Sequence, residues 1–517
     1  MTIQLITPYM VSGSEQAAGA VLSLSDLVEG DAVNRGAAFP YYAPVGGYKA
    51  LVVGDSITAQ SEVILGATSV TDNNDGTATV VRTSHGLNVG ERVRLHATTK
   101  RKTNVIDAPV VEYVDANTIK VGLTGRRHNV TSSSSPSITM QSRRSFRGWL
   151  TWLEMLRGEG FSATWAAVGG GTTSQILDLV ETAGGDHHIA FVMTGMNDIY
   201  SSGLDLATIK HHVVALLRAV AQRAARVVVL TVPPRTSADG QWSSAKQIIH
   251  TALNQWLLQY ARAEGFYAVD TWRATQDGAT YVNAAATNPD PLAAMMFDNT
   301  HPSGRGALAI ANAVKPIVDV LLPVSPWLPA HKDQLGANGY NLLTDSDFAT
   351  DSAGVATSWV VSDSAASMSV TPTVESRTVA DHGDAVGRNQ VLTINYGGAS
   401  GTASTRFRRN NVHGLLTPGK RCMFRCNFSV TGATGLVGLD LAMFGTTAST
   451  FWQIYGPVQD TNADPVTGAF SGVMFTPIVT VPSNLTDVDL WVRPYITSAQ
   501  SGDMVLRLWH PMLLQFD

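Results

Sequence analysis

Ser56 stands at the end of an apolar run, Leu51-Val52-Val53-Gly54-Asp55-Ser56-Ile57-Thr58, and far down the chain comes Asp298-Asn299-Thr300-His301-Pro302. A serine hydroxyl is a poor nucleophile at neutral pH. It needs an imidazole to take its proton and a carboxylate to fix the tautomer of that imidazole. The spacing offers Ser56 as nucleophile, His301 as its base and Asp298 as the orienter of the base. Two further segments could serve the charge that forms during acyl transfer. Val168-Gly169-Gly170-Gly171-Thr172-Thr173-Ser174 follows the apolar run 163–168, and Gly195-Met196-Asn197-Asp198 follows Ile189-Ala190-Phe191-Val192-Met193. Backbone and side-chain amides in such loops can hold an oxyanion. The plainer reading of Asn197 taken alone is an Asx turn, and Asp55 and Asp198 read as turn or cap residues.

These residues need a scaffold that brings distant loops together. Position 58 is Thr, so Ser56 lies outside a G-x-S-x-G elbow, and an Asp only three residues before the His departs from the α/β-hydrolase arrangement. The chain between the two ends alternates strand and helix patterns. Ile209, Val213, Leu216, Leu217 and Val220 form a helical stripe, and the run 226–232 reads as a buried parallel strand stopped by Pro233-Pro234. Ile249, Leu253, Trp256, Leu257 and Tyr260 repeat the stripe before a strand at 266–270, and a last helix starts near Ser303 with Pro316 inside it. Repeated βα units predict a parallel sheet with helices on both faces and the loops gathered at its carboxyl edge.

In order, Gly54-Asp55-Ser56-Ile57-Thr58, the glycine loop, Gly195-Met196-Asn197-Asp198 and Asp298-Asn299-Thr300-His301 resemble the four blocks of the SGNH (GDSL-like) hydrolase family. The resemblance implies an SGNH-type α/β fold. It makes Ser56 the nucleophile, His301 the general base and then acid, and Asp298 the holder of the other ring nitrogen. The oxyanion hole it implies consists of the Ser56 amide, the Gly171 amide and the Asn197 side chain. Gly171 is preferred among the three glycines for its Gly-x-Thr spacing. Ile57 replaces a frequent Leu of the family. No metal and no organic cofactor is implied. Removing one oxyanion donor, as in Asn197→Ala, costs about a hundred- to a thousandfold in rate. Relatives with the same residues hydrolyse lipid esters, aryl esters and thioesters.

At 517 residues the chain exceeds one hydrophobic core. The expected division is an N-terminal arm at 1–45, an α/β domain at 46–61 and 144–325, an inserted small β domain at 62–143, a linker at 326–340 and a C-terminal β-sandwich, jelly-roll-like, at 341–517. The insertion is inferred from short strands and turns that follow Ser56 where a helix belongs. The delayed helix comes at 146–157, with Trp149, Leu150, Leu153 and Leu156 on one face. An insert at that point is a wall or lid of the cleft, or else a spacer or oligomer contact; both readings stand. The proline-rich segment at 323–329 reads as a stiff linker.

Charged residues are only 15% of the chain, the net charge is −5 and the pI is about 6.2, so no basic stripe offers itself to nucleic acid. Cys422 and Cys426, four residues apart on one strand, stand roughly 13 Å apart and read as free buried thiols. The start lacks a signal peptide and no 18-residue apolar stretch suggests a membrane span. Exterior character without an export signal fits release by cell lysis, as for a virus particle. The arm and the segment His85-Gly86-Leu87-Asn88-Val89-Gly90 resemble small pieces of bacteriophage tail proteins, with His85 itself read as a turn residue. The stretch 341–348 followed by Trp359 resembles carbohydrate-binding jelly rolls. Trp452, Tyr455 and Trp491 could stack sugar rings there, although each taken singly reads more readily as core. The expectation is a serine esterase that removes O-acetyl groups from a bacterial surface polysaccharide. It would be part of a phage tail in the virion, acting at the host surface, as a homotrimer attached to other tail proteins. The alternatives are a non-catalytic glycan-binding tail protein and a lipase or thioesterase acting on small esters.

Overall fold

A computed structural model describes the backbone of residues 2–5, 9–11, 14–16, 21–23 and 38–40, then 48–96 apart from 88 and 90, 106–123, 137–236, 239–276, 291, 294–322, 341–377 apart from 345 and 363, 387–397, 401–447, 451–458, 465–497 and 500–516. The proline-rich segment read as a linker lies outside the described residues. Within the N-terminal arm, strands 21–23, 2–5 and 38–40 pair in that order, and 9–11 forms a hairpin with 14–16.

Five short apolar runs build the central sheet: β1 (Tyr48–Gly54), β2 (Phe161–Ala167), β3 (Ile189–Met193), β4 (Val227–Leu230) and β5 (Tyr267–Val269). All pair in parallel, in the order β2-β1-β3-β4-β5. Every residue of β3 and β4 is buried, as a sheet covered on both faces requires. The order reverses between β1 and β3, and at such a switch point the loops leaving two neighbouring strands diverge and open a crevice. Ser56 follows β1 and Asn197 follows β3.

The helices between these strands are α1 (Ser56–Ala59), α2 (Trp149–Arg157), α3 (Thr173–Thr182), α4 (Met196–Tyr200), α5 (Leu206–Ala221) and α6 (Ser244–Ala263), and α7 (Thr271–Thr275) and α8 (Gly304–Leu321) follow β5, the last with Pro316 inside it. The α5 stripe Ile209, Val213, Leu216, Leu217 and Val220 is wholly buried. On α6 only Leu253 and Leu257 of the stripe are buried, and Ile249, Trp256 and Tyr260 pack half-buried around them.

Between α1 and α2 the chain makes an antiparallel sheet. Its order is 137–145, 92–96, 106–115, 118–122, 77–81 and 69–72, with 62–66 also on 137–145. Strands 62–66 and 69–72 lie at opposite ends of this order yet only residues 67 and 68 separate them, so the sheet curls into a nearly closed barrel. It has its own core, including Val70, Val80, Val93, Leu95, Ile119 and Val121. The ends of the insertion meet: Ser145 N donates to Ser61 O at 3.1 Å, and Ser61 Oγ accepts from Leu150 N at 3.2 Å.

The C-terminal region is antiparallel. Most of its strands connect through the 27-residue strand Arg421–Thr447, while Asp351–Ser352 and Val355–Ala356 form a separate two-stranded sheet. The first part of that strand pairs with Met504–Phe516 and Val466–Phe475, the second with Leu485–Thr497, and bulges between Val430 and Leu436 mark the change of partners. This region packs directly on α2. Gly472 lies so close to Met155 that a Cβ would come 2.5 Å from its carbonyl oxygen, and Phe470 meets the Trp152 ring at 5.2 Å. Pro457–Val458 even adds a parallel strand beside Arg144 and Ser145 of the inserted sheet. Cys422 and Cys426 are both free and buried, and burial pushes both thiols up to about 12.

Candidate active site

β1 ends at Gly54 because β3 and the next turn leave no room for a side chain. A Cβ there would run into the Thr58 side chain and stand 2.6 Å from Met193 O. Asp55 then caps α1, its Oδ1 accepting from Ile57 N at 3.0 Å. Ser56 is the first residue of α1, so its amide is one of the donors a helix start leaves unpaired. Its Oγ lies 2.8 Å from His301 Nε2.

The 298–301 loop is wound around its own aspartate. Asp298 Oδ1 accepts from the amides of Thr300 and His301, both at 2.7 Å, and Oδ2 accepts from His301 Nδ1 at 2.7 Å. Partial burial by itself raises the Asp298 carboxyl. The hydrogen bonds from the His301 ring and from the two amides, together with the imidazole charge, outweigh that and hold it down at about 2. A carboxylate that only accepts puts the proton on Nδ1 and leaves Nε2 to take the Ser56 proton. Phe297 N to His301 O, at 2.8 Å, closes the loop, and Ser303 caps α8 directly after it.

The two loops between these ends hold each other. Asn197 Nδ2 donates to Gly171 O at 3.2 Å, and its second hydrogen has no partner among the described residues. The next residue, Asp198, accepts from Thr173 N and Thr173 Oγ1, both at 2.8 Å. Asp198 therefore caps α3 from another helix and fixes the glycine loop to Asn197. No single sequence shows that tie, because the partners are 25 residues apart on different elements.

Gly171 does not stand as the resemblance implied. Its amide donates to Val168 O at 3.2 Å, closing a tight turn, and it is buried. Gly170 is exposed, holds the left-handed conformation at φ 71° that glycine adopts without strain, and its amide makes no hydrogen bond among the described residues. Of the two neighbouring amides it is that of Gly170 which is left open, while the Gly171 carbonyl holds the Asn197 side chain.

Behind the nucleophile, Asp55 is 1% exposed and its Oδ2 accepts no hydrogen bond among the described residues. Burial pushes this carboxyl up to about 7, the Ile57 amide and His301 oppose the rise, and the neighbouring Asp198 adds to it. The insertion is anchored beside the site by buried ion pairs. Glu62 pairs with Arg94 and, at 3.5 Å, with Arg144, which in turn pairs with Glu154 of α2 at 2.9 Å.

Trp452 and Tyr455 belong to strand Phe451–Tyr455, but their side chains lie outside the described residues. Trp491 is 3% exposed, with Phe444 stacked at 4.7 Å and the Arg406 guanidinium 4.7 Å from its ring, so no face is open to a sugar. His85 is a turn residue. Its ring contacts Asp115 O at 2.8 Å and accepts from Leu87 N at 2.9 Å.

The GDSL-like Lipase/Acylhydrolase family model matches residues 135–309. No curated protein matches the chain. Among solved structures it is similar to a member of the lipolytic protein G-D-S-L family from Veillonella parvula DSM 2008, at 18% identity over 33% of this chain and 87% of that one, TM-score 0.26. It is also similar to a mutant acetyl-xylooligosaccharide esterase from Geobacillus Stearmophilus, at 13% identity over 55% and 98%, TM-score 0.29. A carbohydrate acetylesterase family member from Sinorhizobium meliloti aligns at 12% identity over 53% and 99%, TM-score 0.29. Ser56 falls outside the matched residues because the insertion separates it from the rest of its domain. The segment matched by that family model carries His301 and Asp298, and the parallel sheet sets both in one hydrogen-bonded line with Ser56, so the α/β domain is similar to the GDSL-like, or SGNH, hydrolases.

Proposed function

We propose that the protein is a serine esterase that removes O-acetyl groups from a bacterial surface polysaccharide. The observation that carries the catalytic half is the line Ser56 Oγ, His301 Nε2, His301 Nδ1, Asp298 Oδ2, with links of 2.8 and 2.7 Å. Ser56 Oγ attacks the ester carbonyl as its proton passes to His301 Nε2. The oxyanion is met by the Ser56 and Gly170 amides and the free hydrogen of Asn197. The C–O bond to the sugar breaks, and His301 gives the proton to the departing sugar oxygen. Water then gives its proton to His301 and its oxygen to the acyl carbon, and acetate leaves as Ser56 regains the proton.

Two observations support a small acyl group on a glycan over a lipid ester. None of the exposed large hydrophobic residues among the described residues belongs to the loops at 54–60, 168–173, 194–200 or 297–303, where an acyl chain would rest. Antiparallel β regions lie beside the catalytic edge, and charged residues are only 15% of the whole chain, as suits a protein that works on an extended polymer. The same composition supports placing it on a phage tail at the host surface.

The test is acetate release from purified surface glycans of candidate host bacteria, with p-nitrophenyl acetate as a general ester. Wild type is expected to release acetate, and Ser56→Ala to lose roughly a thousandfold or more of that rate. Equal rates for the two proteins would refute the catalytic reading and leave glycan binding. Hydrolysis of p-nitrophenyl acetate and long-chain esters without acetate release from any glycan would refute the substrate.

A further inference from the structure

The loop between β4 and α6 carries no residue of the chemistry above, yet Arg235 in it is 6% exposed and touches both halves of the site. Its guanidinium carbon lies 3.6 Å from the ring centre of Tyr200 and 5.7 Å from that of Trp242. Nε donates to Asp239 Oδ2 at 2.7 Å, Nη2 reaches the same oxygen, and Nη1 donates to Thr300 Oγ1. The next residue adds a second tie, Thr236 N to Asn299 O at 3.1 Å. Tyr200 ends the five-residue helix that holds Asn197, and Thr300, 8% exposed, stands between Asp298 and His301 with its amide on Asp298 Oδ1.

We propose that Arg235 is a positioning residue, which locks the Asp298–His301 loop to the helix of Asn197 so that base and oxyanion donor face Ser56 together. Asp239 neutralises the cation, so its effect is geometric. The task suits arginine, because a planar guanidinium can stack on Tyr200 and at the same time send hydrogen bonds in its plane to Asp239 and Thr300, which a lysine ammonium cannot. A displacement of about an ångström at the reacting groups costs on the order of a hundredfold in rate. Thr300 is the point at which the effect enters the loop.

This inference rests on the esterase reading, and the test keeps the two apart. Arg235→Met, Arg235→Lys, Thr300→Val and the double variant Arg235→Met/Thr300→Val are assayed on p-nitrophenyl acetate. The rate of Ser56 labelling by a fluorophosphonate is measured alongside, with the final labelled fraction as the count of intact sites. The expected result is a kcat lowered roughly ten- to a hundredfold in Arg235→Met, with KM changed less than about threefold. Arg235→Lys fails to rescue, Thr300→Val lowers kcat in the same sense, and the double variant is no slower than Arg235→Met alone. Losses that multiply in the double variant, rescue by Lys, or a rate loss matched by the loss of labelled sites would overturn it. If Arg235→Met does not fold, Thr300→Val decides alone: unchanged kcat refutes the proposal. If wild type labels at Ser56 but hydrolyses no carboxylic ester, the substrate reading fails and the labelling rates of the same four variants decide the positioning role.

Discussion

Asp55 lies next to the nucleophile with one carboxyl oxygen on the Ile57 amide and the other without a hydrogen bond among the described residues. In the unfolded chain it titrates near 3.8, and burial moves it to about 7 in the fold. Between these values the folded protein holds a proton that the unfolded chain has released, so stability falls as the pH rises through the window. The loss begins above 3.8 and is complete above about 7. The interval corresponds to an upper figure of ~4 kcal/mol. Asp298 acts in the opposite sense and elsewhere: held at about 2, it contributes stability above 3.8 that disappears as the pH falls towards 2. Its exposed carboxylate makes that contribution small. Asp55→Asn keeps an oxygen for the Ile57 amide and cannot ionise. Urea unfolding followed by tryptophan fluorescence, run on both proteins from pH 4 to 8, is expected to show the variant gaining on wild type as the pH rises, by up to ~4 kcal/mol, with the rise confined below about pH 7.5. A difference that stays flat across this range, or that moves in favour of wild type, would refute a buried carboxyl that resists ionisation.

Gly54→Ala forces a methyl group against Met193 O, a backbone atom of the next strand that cannot turn aside. The strand end two residues before Ser56 must shift, and a kcat lowered roughly a hundredfold in soluble protein is expected; wild-type kcat would contradict the close approach. Removing 341–517 bares Trp152, Gly158 and Gly160 on and just beyond α2, which now pack on Phe470, Val473 and Phe475. Uncovering even one indole face of roughly 100 Å2 costs about 2–3 kcal/mol. The truncated chain is therefore expected to melt lower than the full protein and to lose esterase activity with its fold; a shortened chain with unchanged Tm and kcat would show the C-terminal region to be dispensable.

The parallel strands and the four loops were legible because β3, β4 and β5 are uninterrupted apolar runs, β1 and β2 end in apolar stretches (Leu51–Val53 and Trp165–Ala167), and each loop begins where such a run stops. Ser56, Asn197, Asp298 and His301 stood out because four short blocks carrying them follow one another in order. The choice among Gly169, Gly170 and Gly171 could not, since three glycines in a row carry no side-chain signal and the engaged amide is selected by a turn onto Val168 O. Arg235 was invisible for a related reason. The reading of that strand stopped at Pro233-Pro234, and nothing in the two residues that follow announces contact with Thr300, 65 positions away. Trp491, which taken singly reads more readily as core than as a sugar platform, is indeed buried, but the partners that cover it, Phe444 and Arg406, depend on pairing across strands far apart in sequence.

The accessory β regions follow one physical rule. An insertion beside a nucleophile is tolerated only if it returns the chain to the point it left, and here the Ser145 to Ser61 hydrogen bond and the Ser61 hydroxyl on Leu150 bring α2 back to the end of α1. Gly148 is required at that return, because a Cβ would run into Ser61 Cα. The last residues of the inserted sheet, Arg144 and Ser145, then pair with Pro457 and Val458, while Gly304, three residues past His301, packs on Val466. The C-terminal region thus grips the chain on both sides of the catalytic edge, once where the insertion closes and once where α8 begins. A domain that swung freely on a linker would make neither contact. On the proposed reading, a glycan engaged by the accessory regions would be held in fixed register with Ser56, so contacts made there are expected to act on which acyl group reaches the hydroxyl as well as on overall affinity.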